Sequence, residues 1–378
     1  MIGHRNIIIG RNKRLCMAGA SPYIGSIYGI PVELHWTFII MMLLALAISF
    51  NLFLIFVLLF ICVFLHELAH SVTAIRNNIS VKKILLYPLG GGSIIDLDDI
   101  PPKLEFRIAI AGPVSSFLLG FIFGIMVIFI PAGTVKLFVQ LLFVLNILLA
   151  VFNILPWFPL DGGRVLRSYL EKKRDFLSAT KLTVNISNVI IVLFIISTVA
   201  FVAVENGYSL LYKEFIVLWD VFIAVFLYGG AKAELQGAYV KEYTRGVKLR
   251  AALSNNYIML KGRPTIHDIY SSIMKSHKHI ILFRENGKIY VISRIPQNML
   301  ASQKVQNIEI GKMSMALQEF EESEQIYSVY SKMQSDGIGI AAVLRKGKFV
   351  GIVQMQHLES LISLHMAHVK GNSKNINN

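Results

Sequence analysis

The stretch FLHELAHSVTA, from Phe64 to Ala74, decides how the rest of the chain is interpreted. It ends an apolar run that starts near Leu52. His66 and His70 are four residues apart, so on a helix both imidazoles project from one face, with Glu67 on its flank. Such a pair can hold one zinc ion, and the carboxylate between them can act on a bound water. A chance match is the alternative, but ionisable groups in an apolar segment are costly unless they pair or bind something, which favours a metal site.

The composition is that of a polytopic membrane protein rather than a soluble domain. Of 378 residues, 54% are hydrophobic and 16% charged, and the mean hydropathy is +0.59. The formal charge of +14 fits basic cytoplasmic loops that face anionic lipid heads. Because basic residues do not alternate with exposed aromatics, we expect the lipid bilayer, and no nucleic acid, as a partner. Two cysteines, Cys16 and Cys62, are too few for a disulfide framework or a cysteine-ligated zinc site.

Six apolar stretches are predicted to cross the hydrocarbon core, which needs about 20 residues. They are Leu34–Phe50, Leu52–Ile75, Phe106–Ile130, Val135–Pro156, Val184–Val204 and Glu214–Ala231. Pro31 is typical of a helix start before the first span, and Ala111–Pro113 is placed at the opening of the third. A tight turn is predicted around Ser49–Asn51, and a basic helix is predicted over 162–182.

Loop charges predict the orientation. The loops after the first, third and fifth spans hold almost no Lys or Arg, whereas those after the second and fourth hold many. The positive-inside rule therefore predicts a multi-pass protein of the cell membrane with both termini in the cytoplasm. It places the His pair and the segment FPLDGG, Phe158–Gly163, toward the same cytoplasmic side.

Residues 76–106 do not have the pattern of a span. Ile84–Tyr87 and Ser93–Asp96 are short runs on either side of the glycines Gly90–Gly92. Glycine clusters break helices, and apolar runs around them indicate strands. A small sheet or re-entrant hairpin beside the histidines is therefore expected, with a plain surface loop as the alternative.

A catalytic zinc site usually has three protein ligands and an open position. Asp161 is the best third candidate, because prolines break the helix before it and Gly162 and Gly163 allow close backbone approach. Its alternative role is to cap the following helix. Rival carboxylates, in a segment with the pattern of a solvated loop, are Asp96, Asp98 and Asp99. Asn153 could hydrogen-bond a substrate backbone, or equally another helix.

These residue types together support peptide hydrolysis. Zinc lowers the pKa of a bound water to about 7 and polarises a scissile carbonyl, while Glu67 could carry the proton to the leaving amine. A spanning helix hides its carbonyls in its own hydrogen bonds, so a substrate must unwind locally. The strand region Ile84–Asp96 could receive the unwound segment by strand addition.

The C-terminal third changes character from about Arg250. Ile266–Ile292 and Ile326–Val353 share one order, in which a helical stretch precedes a strand, a glycine turn and a second strand. This repeat predicts a tandem α/β module. The expected organisation is a basic cytoplasmic extension at 1–28, a membrane domain at 29–235, a linker at 236–250, the tandem module at 251–370 and a disordered tail at 371–378.

Five motifs together resemble the site-2 protease family of intramembrane zinc metalloproteases, in its prokaryotic six-span branch with a C-terminal CBS pair. In order they are GIPVELHWTF, HELAH, LLYPLGGGSI, AGPVSS and NILPWFPLDGGRVLR, beginning at Gly29, His66, Leu85, Ala111 and Asn153. The resemblance implies one zinc held by His66, His70 and Asp161, Glu67 as general acid and base, and Asn153 as a polar residue near the site. It also implies a transmembrane protein substrate cut in regulated intramembrane proteolysis.

The CBS resemblance is weaker in its ligand residues. CBS pairs often bind adenine nucleotides through a Thr/Ser-x-x-Asp ending after the last strand, whereas this chain has GIVQMQHLE at Gly351–Glu359. A dimerisation or regulatory module, in a homodimer, is the alternative to a nucleotide site. For the whole chain, a transporter would need ionisable residues in several spans, and an inactive scaffold would not need Glu67.

Overall fold

The computed structural model describes residues 22–87, 90–95, 100–205, 207, 209–276, 280–292 and 314–364. These fall into two compact units, residues 22–242 and 243–364, which are described separately. The predicted tail, most of the predicted N-terminal extension and the three rival aspartates, Asp96, Asp98 and Asp99, lie outside the described residues.

Seven helices form most of the first unit as described. They are α1 (Trp36–Ile48), α2 (Phe50–Arg76), α3 (Pro102–Phe129), α4 (Thr134–Ile154), α5 (Asp161–Leu170), α6 (Phe176–Val204) and α7 (Leu210–Tyr243). Among the described residues, four are long and apolar enough to cross a membrane, namely α2, α3, α4 and α6. A straight helix of 13 residues, the length of α1, rises about 20 Å, less than the roughly 30 Å of hydrocarbon. The membrane-protein class is confirmed, and the count of six spans stays a prediction.

Several predicted boundaries were wrong. Leu34 and Pro31 lie in a strand, because the chain before α1 folds as a hairpin rather than starting the helix. Pro113 lies inside α3, which begins 11 residues earlier, at Pro102. The predicted basic helix 162–182 ends at Leu170, and α6 takes over from Phe176, capped by the side chain of Asp175.

The predicted β element is confirmed and is larger than expected. Strands β1 (Tyr23–Ile27), β2 (Ile30–Leu34), β3 (Val81–Tyr87) and β4 (Gly90–Ile95) form one sheet in that order. The β1–β2 turn is Tyr28-Gly29, and both residues have positive φ, as a two-residue hairpin with matching twist requires. The sheet thus begins inside the predicted 1–28 extension, and β1 and β4 are its two edge strands in the described part of the chain.

The segment between α4 and α5 folds back against α6. The hydroxyl of Ser187 on α6 accepts a hydrogen bond from the backbone N–H of Phe158, at 2.8 Å, and donates one to the carbonyl of Thr183. A Cβ on Gly162 would lie 2.1 Å from the carbonyl oxygen of Leu155, so only glycine fits there. These contacts fix where α5 begins.

The second unit contains the two predicted halves. In the first, α8 (Ile266–Lys275) precedes β6 (Ile281–Glu285) and β7 (Lys288–Ile292), in a sheet completed by β5 (Ile258–Leu260) and β8 (Ser314–Ala316). In the second, α9 (Ile326–Ser335) precedes β10 (Ile340–Arg345) and β11 (Lys348–Gln354), beside β9 (Glu319–Glu321); a last helix, α10, covers 355–364.

The halves share their turns and their core. Asn286-Gly287 and Lys346-Gly347 both have positive φ at two successive residues, so the same tight hairpin occurs twice. A single core cluster joins side chains of both sheets, including Leu282 and Ile352. Because α7 continues to Tyr243, it occupies the first half of the predicted linker 236–250, and the domain bounds stay predictions.

Replacing Ser187 by Ala should destabilise the first unit by about 1–3 kcal/mol, since the buried N–H of Phe158 then has no acceptor. Thermal unfolding of the detergent-solubilised chain measures the effect. Ser197→Ala on the same helix is the control, because that exposed hydroxyl only bonds its own helix at Phe194. Equal shifts for both variants would contradict the role given to Ser187.

Candidate metal centre

Helix α2 brings the two histidines together as the i, i+4 spacing predicts. His66 and His70 are 3% and 6% exposed, and their rings meet edge to face with centroids 4.9 Å apart. One turn earlier lies Cys62, a buried thiol that accepts a hydrogen bond from the amide of Asn146. The structure places this thiol outside the group of candidate ligands.

One face of α3 contacts the Nδ1 atoms of both imidazoles. The Nδ1 of His70 donates to the carbonyl oxygen of Ile108 at 2.7 Å, and the Nδ1 of His66 lies 2.9 Å from the hydroxyl of Ser116. Between them is Gly112, where a Cβ would lie 2.2 Å from Nε2 of His70 and 2.5 Å from Nε2 of His66. Residues 108, 112 and 116 follow each other at four-residue intervals, so they share one helix face.

Helix α5 brings Asp161 to the same point from 91 residues away. Its Oδ2 lies 3.0 Å from Nε2 of His66 and 3.1 Å from Nε2 of His70. The alternative role as a helix cap is not seen, because the capping position is Leu160 and has no side-chain hydrogen bond. The structure thus gathers the three predicted ligands, and it identifies no other group of three potential ligands among the described residues.

The hydrogen bonds around the site fit a cation between these three atoms. The imidazole of His70 uses Nδ1–H toward Ile108, so in the neutral ring Nε2 carries a lone pair. That lone pair faces an oxygen of Asp161 that also carries one. Two acceptors at this distance repel unless a positive charge lies between them. Tetrahedral zinc, with bonds of about 2.0–2.1 Å, holds its ligands roughly 3.3 Å apart, close to the distances found.

Charged neighbours determine the ionisation of two side chains on α5, Asp161 and Arg167. Burial raises the pKa of Asp161, but the positive charge that His70 carries when it is protonated, together with contacts to both imidazoles, lowers it by more, so the pKa of the metal-free site lies below its ordinary value. Burial lowers the pKa of Arg167, but the carboxylates of Glu105 and Glu234 raise it by more, so the guanidinium stays charged.

The two remaining predicted site residues have different surroundings. Glu67 is half-buried beside β4, where a Cβ on Gly91 would lie 2.5 Å from its Cγ. The predicted sheet therefore does lie beside the histidine motif. The amide of Asn153 donates to the carbonyl of Leu149 in its own helix, at 3.0 Å, which differs from the alternative of a bond to another helix.

Sequence reasoning missed the contribution of α3. Gly112 and Ser116 appeared only within the motif AGPVSS, and the carbonyl of Ile108 was not singled out. The four-residue spacing of Gly112 and Ser116, opposite two histidines with the same spacing, was the available signal.

The fold and the site define a class: a membrane protein with a buried two-histidine, one-aspartate centre and a glutamate beside it. Comparisons agree with this class. The model of Peptidase family M50 matches residues 54–135 and 130–197. A zinc metalloprotease of Methanocaldococcus jannaschii is 33% identical over 272 residues, 70% of this chain and 75% of that one. The chain therefore belongs to peptidase family M50, the site-2 protease type of metalloprotease.

Solved structures are similar to each part of the chain. The site-2 protease from Methanocaldococcus jannaschii has 34% sequence identity and a TM-score of 0.43, and covers 57% of this chain and 95% of its own. The CBS domain of a bacterial CNNM/CorC family Mg²⁺ transporter has 11% identity and a TM-score of 0.29, and covers 35% of this chain and 97% of its own.

Replacing Gly112 by Ala should lower zinc affinity about 10- to 100-fold, because the methyl group displaces both Nε2 atoms. Elemental analysis and chelator competition on purified chain measure this. Gly237→Ala is the matched control, because a Cβ there meets nothing within 4 Å on α7. Wild-type zinc affinity in the Gly112 variant would contradict the described packing.

Proposed function

We propose that this chain is a zinc endopeptidase that hydrolyses a peptide bond within or next to a transmembrane segment of another membrane protein. The observation that carries the proposal is the meeting of His66, His70 and Asp161 within 4.8 Å of one another inside a unit of membrane-length helices. These three residues would hold the zinc. When bound, zinc supplies Lewis acidity for the scissile carbonyl and the attacking water.

The protein groups divide the remaining work. Glu67 accepts the proton of the water on its carboxylate and delivers it to the leaving amine nitrogen. Ile108 and Ser116 keep Nε2 of both imidazoles turned toward Asp161. Asn153 is proposed to hydrogen-bond the substrate backbone, for which it would exchange its bond to Leu149.

The substrate is proposed to bind as an added strand. A helix must unwind before its carbonyl is exposed, and its freed backbone groups then need partners. β4 is one of the two edge strands of the four-stranded sheet in the described chain, the other being β1, and only β4 has a residue, Gly91, against Glu67 among the close approaches described. An unwound segment paired with β4 would therefore run past the general base.

The charges of the loops support a proposal for the cellular setting. We propose a multi-pass protein of the cell membrane with both termini in the cytoplasm, as the loop charges predict. The second unit is proposed to act as a CBS-type regulatory or dimerisation module that would make a homodimer. An adenine nucleotide there is the weaker alternative, because Gly351–Glu359 lacks the Thr and Asp of the binding pattern.

Glu67→Gln should lower the cleavage rate about 10²–10⁴-fold, because the amide cannot take a proton, while zinc content stays at one ion per chain. Co-expression with tagged single-span membrane proteins measures cleavage, and elemental analysis measures zinc. Glu205→Gln, at the end of α6, is the control and should cleave normally. A transporter or an inactive scaffold would lose little with Glu67→Gln, so an unchanged chain would reject the protease.

Proline in β4 tests strand addition. Successive N–H groups of a strand point to opposite sides, so Ile94→Pro and Ile95→Pro remove one donor facing β3 and one facing the free edge. The variant that loses the edge donor should cleave more slowly with zinc content intact. Normal cleavage by both variants would rule out pairing along this part of β4.

A further inference from the structure

We infer that Arg167 is a positioning residue for the metal centre, which it serves by holding Asp161 on the same face of α3 that holds the two histidines. The inference rests on the proposed zinc site and adds a residue that does not itself touch the metal. It concerns three helices, α3, α5 and α7, and one buried guanidinium between them.

Arg167 lies on α5, six residues after Asp161, and its side chain is 6% exposed. It donates to the carboxylate of Glu105 on α3 and, at 3.2 Å, to that of Glu234 on α7. The rings of Phe158 and Phe176 lie 5.3 and 4.9 Å from its Cζ, so the guanidinium is enclosed by two aromatic rings as well.

We call Arg167 and the carboxylates around it the arginine clamp. Glu105 connects this clamp to the histidines. Glu105 precedes Ile108 by three residues, so it belongs to the α3 face that contacts His70 through Ile108 and His66 through Ser116. One face of α3 therefore fixes the imidazoles directly, and it fixes Asp161 through Arg167 and the rigid α5. The separation of Asp161 from the histidines is set by a single helix.

A contribution to stability alone does not explain why charged residues are buried here. Taking charges out of water is expensive, and buried ion pairs are weak evidence for stability because apolar residues of similar size often do as well. What an arginine adds is a planar fork that engages two carboxylates in a fixed geometry. Here those carboxylates come from two helices on either side of the one that carries Asp161.

The quadruple variant Glu105→Gln, Arg167→Met, Glu171→Gln, Glu234→Gln tests the inference, because it removes the guanidinium together with the three carboxylates that face it, including Glu171, whose Oε1 lies 3.9 Å from Nε of Arg167. Arg164 loses its 3.5 Å contact with Glu234, but its side chain is 34% exposed and can be hydrated. The full-length chain in detergent is stripped of metal, and its thermal unfolding, its zinc affinity by chelator competition and its visible Co²⁺ spectrum are recorded. We expect metal-free stability close to wild type, a zinc affinity about 10- to 100-fold weaker and an altered Co²⁺ spectrum.

The matched control also weakens a contact of α7, but away from α5. The pair Thr198→Val, Asp220→Asn removes the 2.6 Å hydrogen bond between α6 and α7 and should leave zinc affinity unchanged. Arg167→Lys keeps the charge, loses the planar guanidinium and should bind zinc more weakly than wild type, and it carries the test by itself if the quadruple variant does not fold.

The outcomes separate the two proposals. A wild-type chain that binds no zinc overturns the proposed function and the positioning role together. A wild-type chain that binds zinc, beside folded clamp variants with the same zinc affinity and Co²⁺ spectrum, overturns only the positioning role. An equal loss of affinity in the α6–α7 control also overturns it, because general loosening of α7 would then explain the effect.

Discussion

Three potential ligand atoms turned toward one point are the constraint on which the first unit depends. The Nε2 of His70 and the Oδ2 of Asp161 are both acceptors when that imidazole is neutral, and the Nε2 of His66 lies 3.0 Å from the same oxygen. Without a cation these acceptor atoms repel each other. Because they are buried among membrane-length helices, hydration does little to reduce the repulsion. Without a cation the side chains would move apart. The contacts of α3 and α5 hold them together.

Glycine is what allows the helices to come close enough. At Gly112 the space of a side chain is occupied by the imidazole nitrogens, at Gly91 by the stem of Glu67, and at Gly162 by a backbone carbonyl. Gly112 lies beside the histidines, Gly91 beside Glu67, and Gly162 directly after Asp161. A side chain at Gly112 or Gly91 would collide with a site residue, whereas one at Gly162 would collide with the backbone of the segment that leads to Asp161.

The sequence predicted the site residues far better than their supports. The four-residue spacing of the histidines is local, so helix geometry alone places both imidazoles on one face. Asp161 could be proposed because prolines and glycines interrupt an apolar run there. The role of Ile108 is a backbone carbonyl, which has no residue-type signature, and the clamp around Arg167 joins helices far apart in the chain. Such contacts follow from packing, which local patterns do not encode.

Fold prediction succeeded where a sequence pattern has one structural meaning and failed where it has two. Long apolar segments are recognisable because the bilayer requires about 20 residues, and the repeat of the second unit is recognisable because its glycine turns recur. The β1–β2 hairpin was missed because Pro31 is also a common first residue of a helix. Here the turn residues Tyr28-Gly29, both with positive φ, form a hairpin instead.

The burial of the site indicates the side from which a substrate would approach. The two histidines are almost fully enclosed, whereas the side chain of Asp161 is 17% exposed and Glu67 is half-buried. The side of the imidazoles that faces α3 is closed, because a Cβ on Gly112 would already collide with both Nε2 atoms. Glu67 lies against Gly91 of β4, an edge strand, so a substrate that approached along that edge would meet this glutamate.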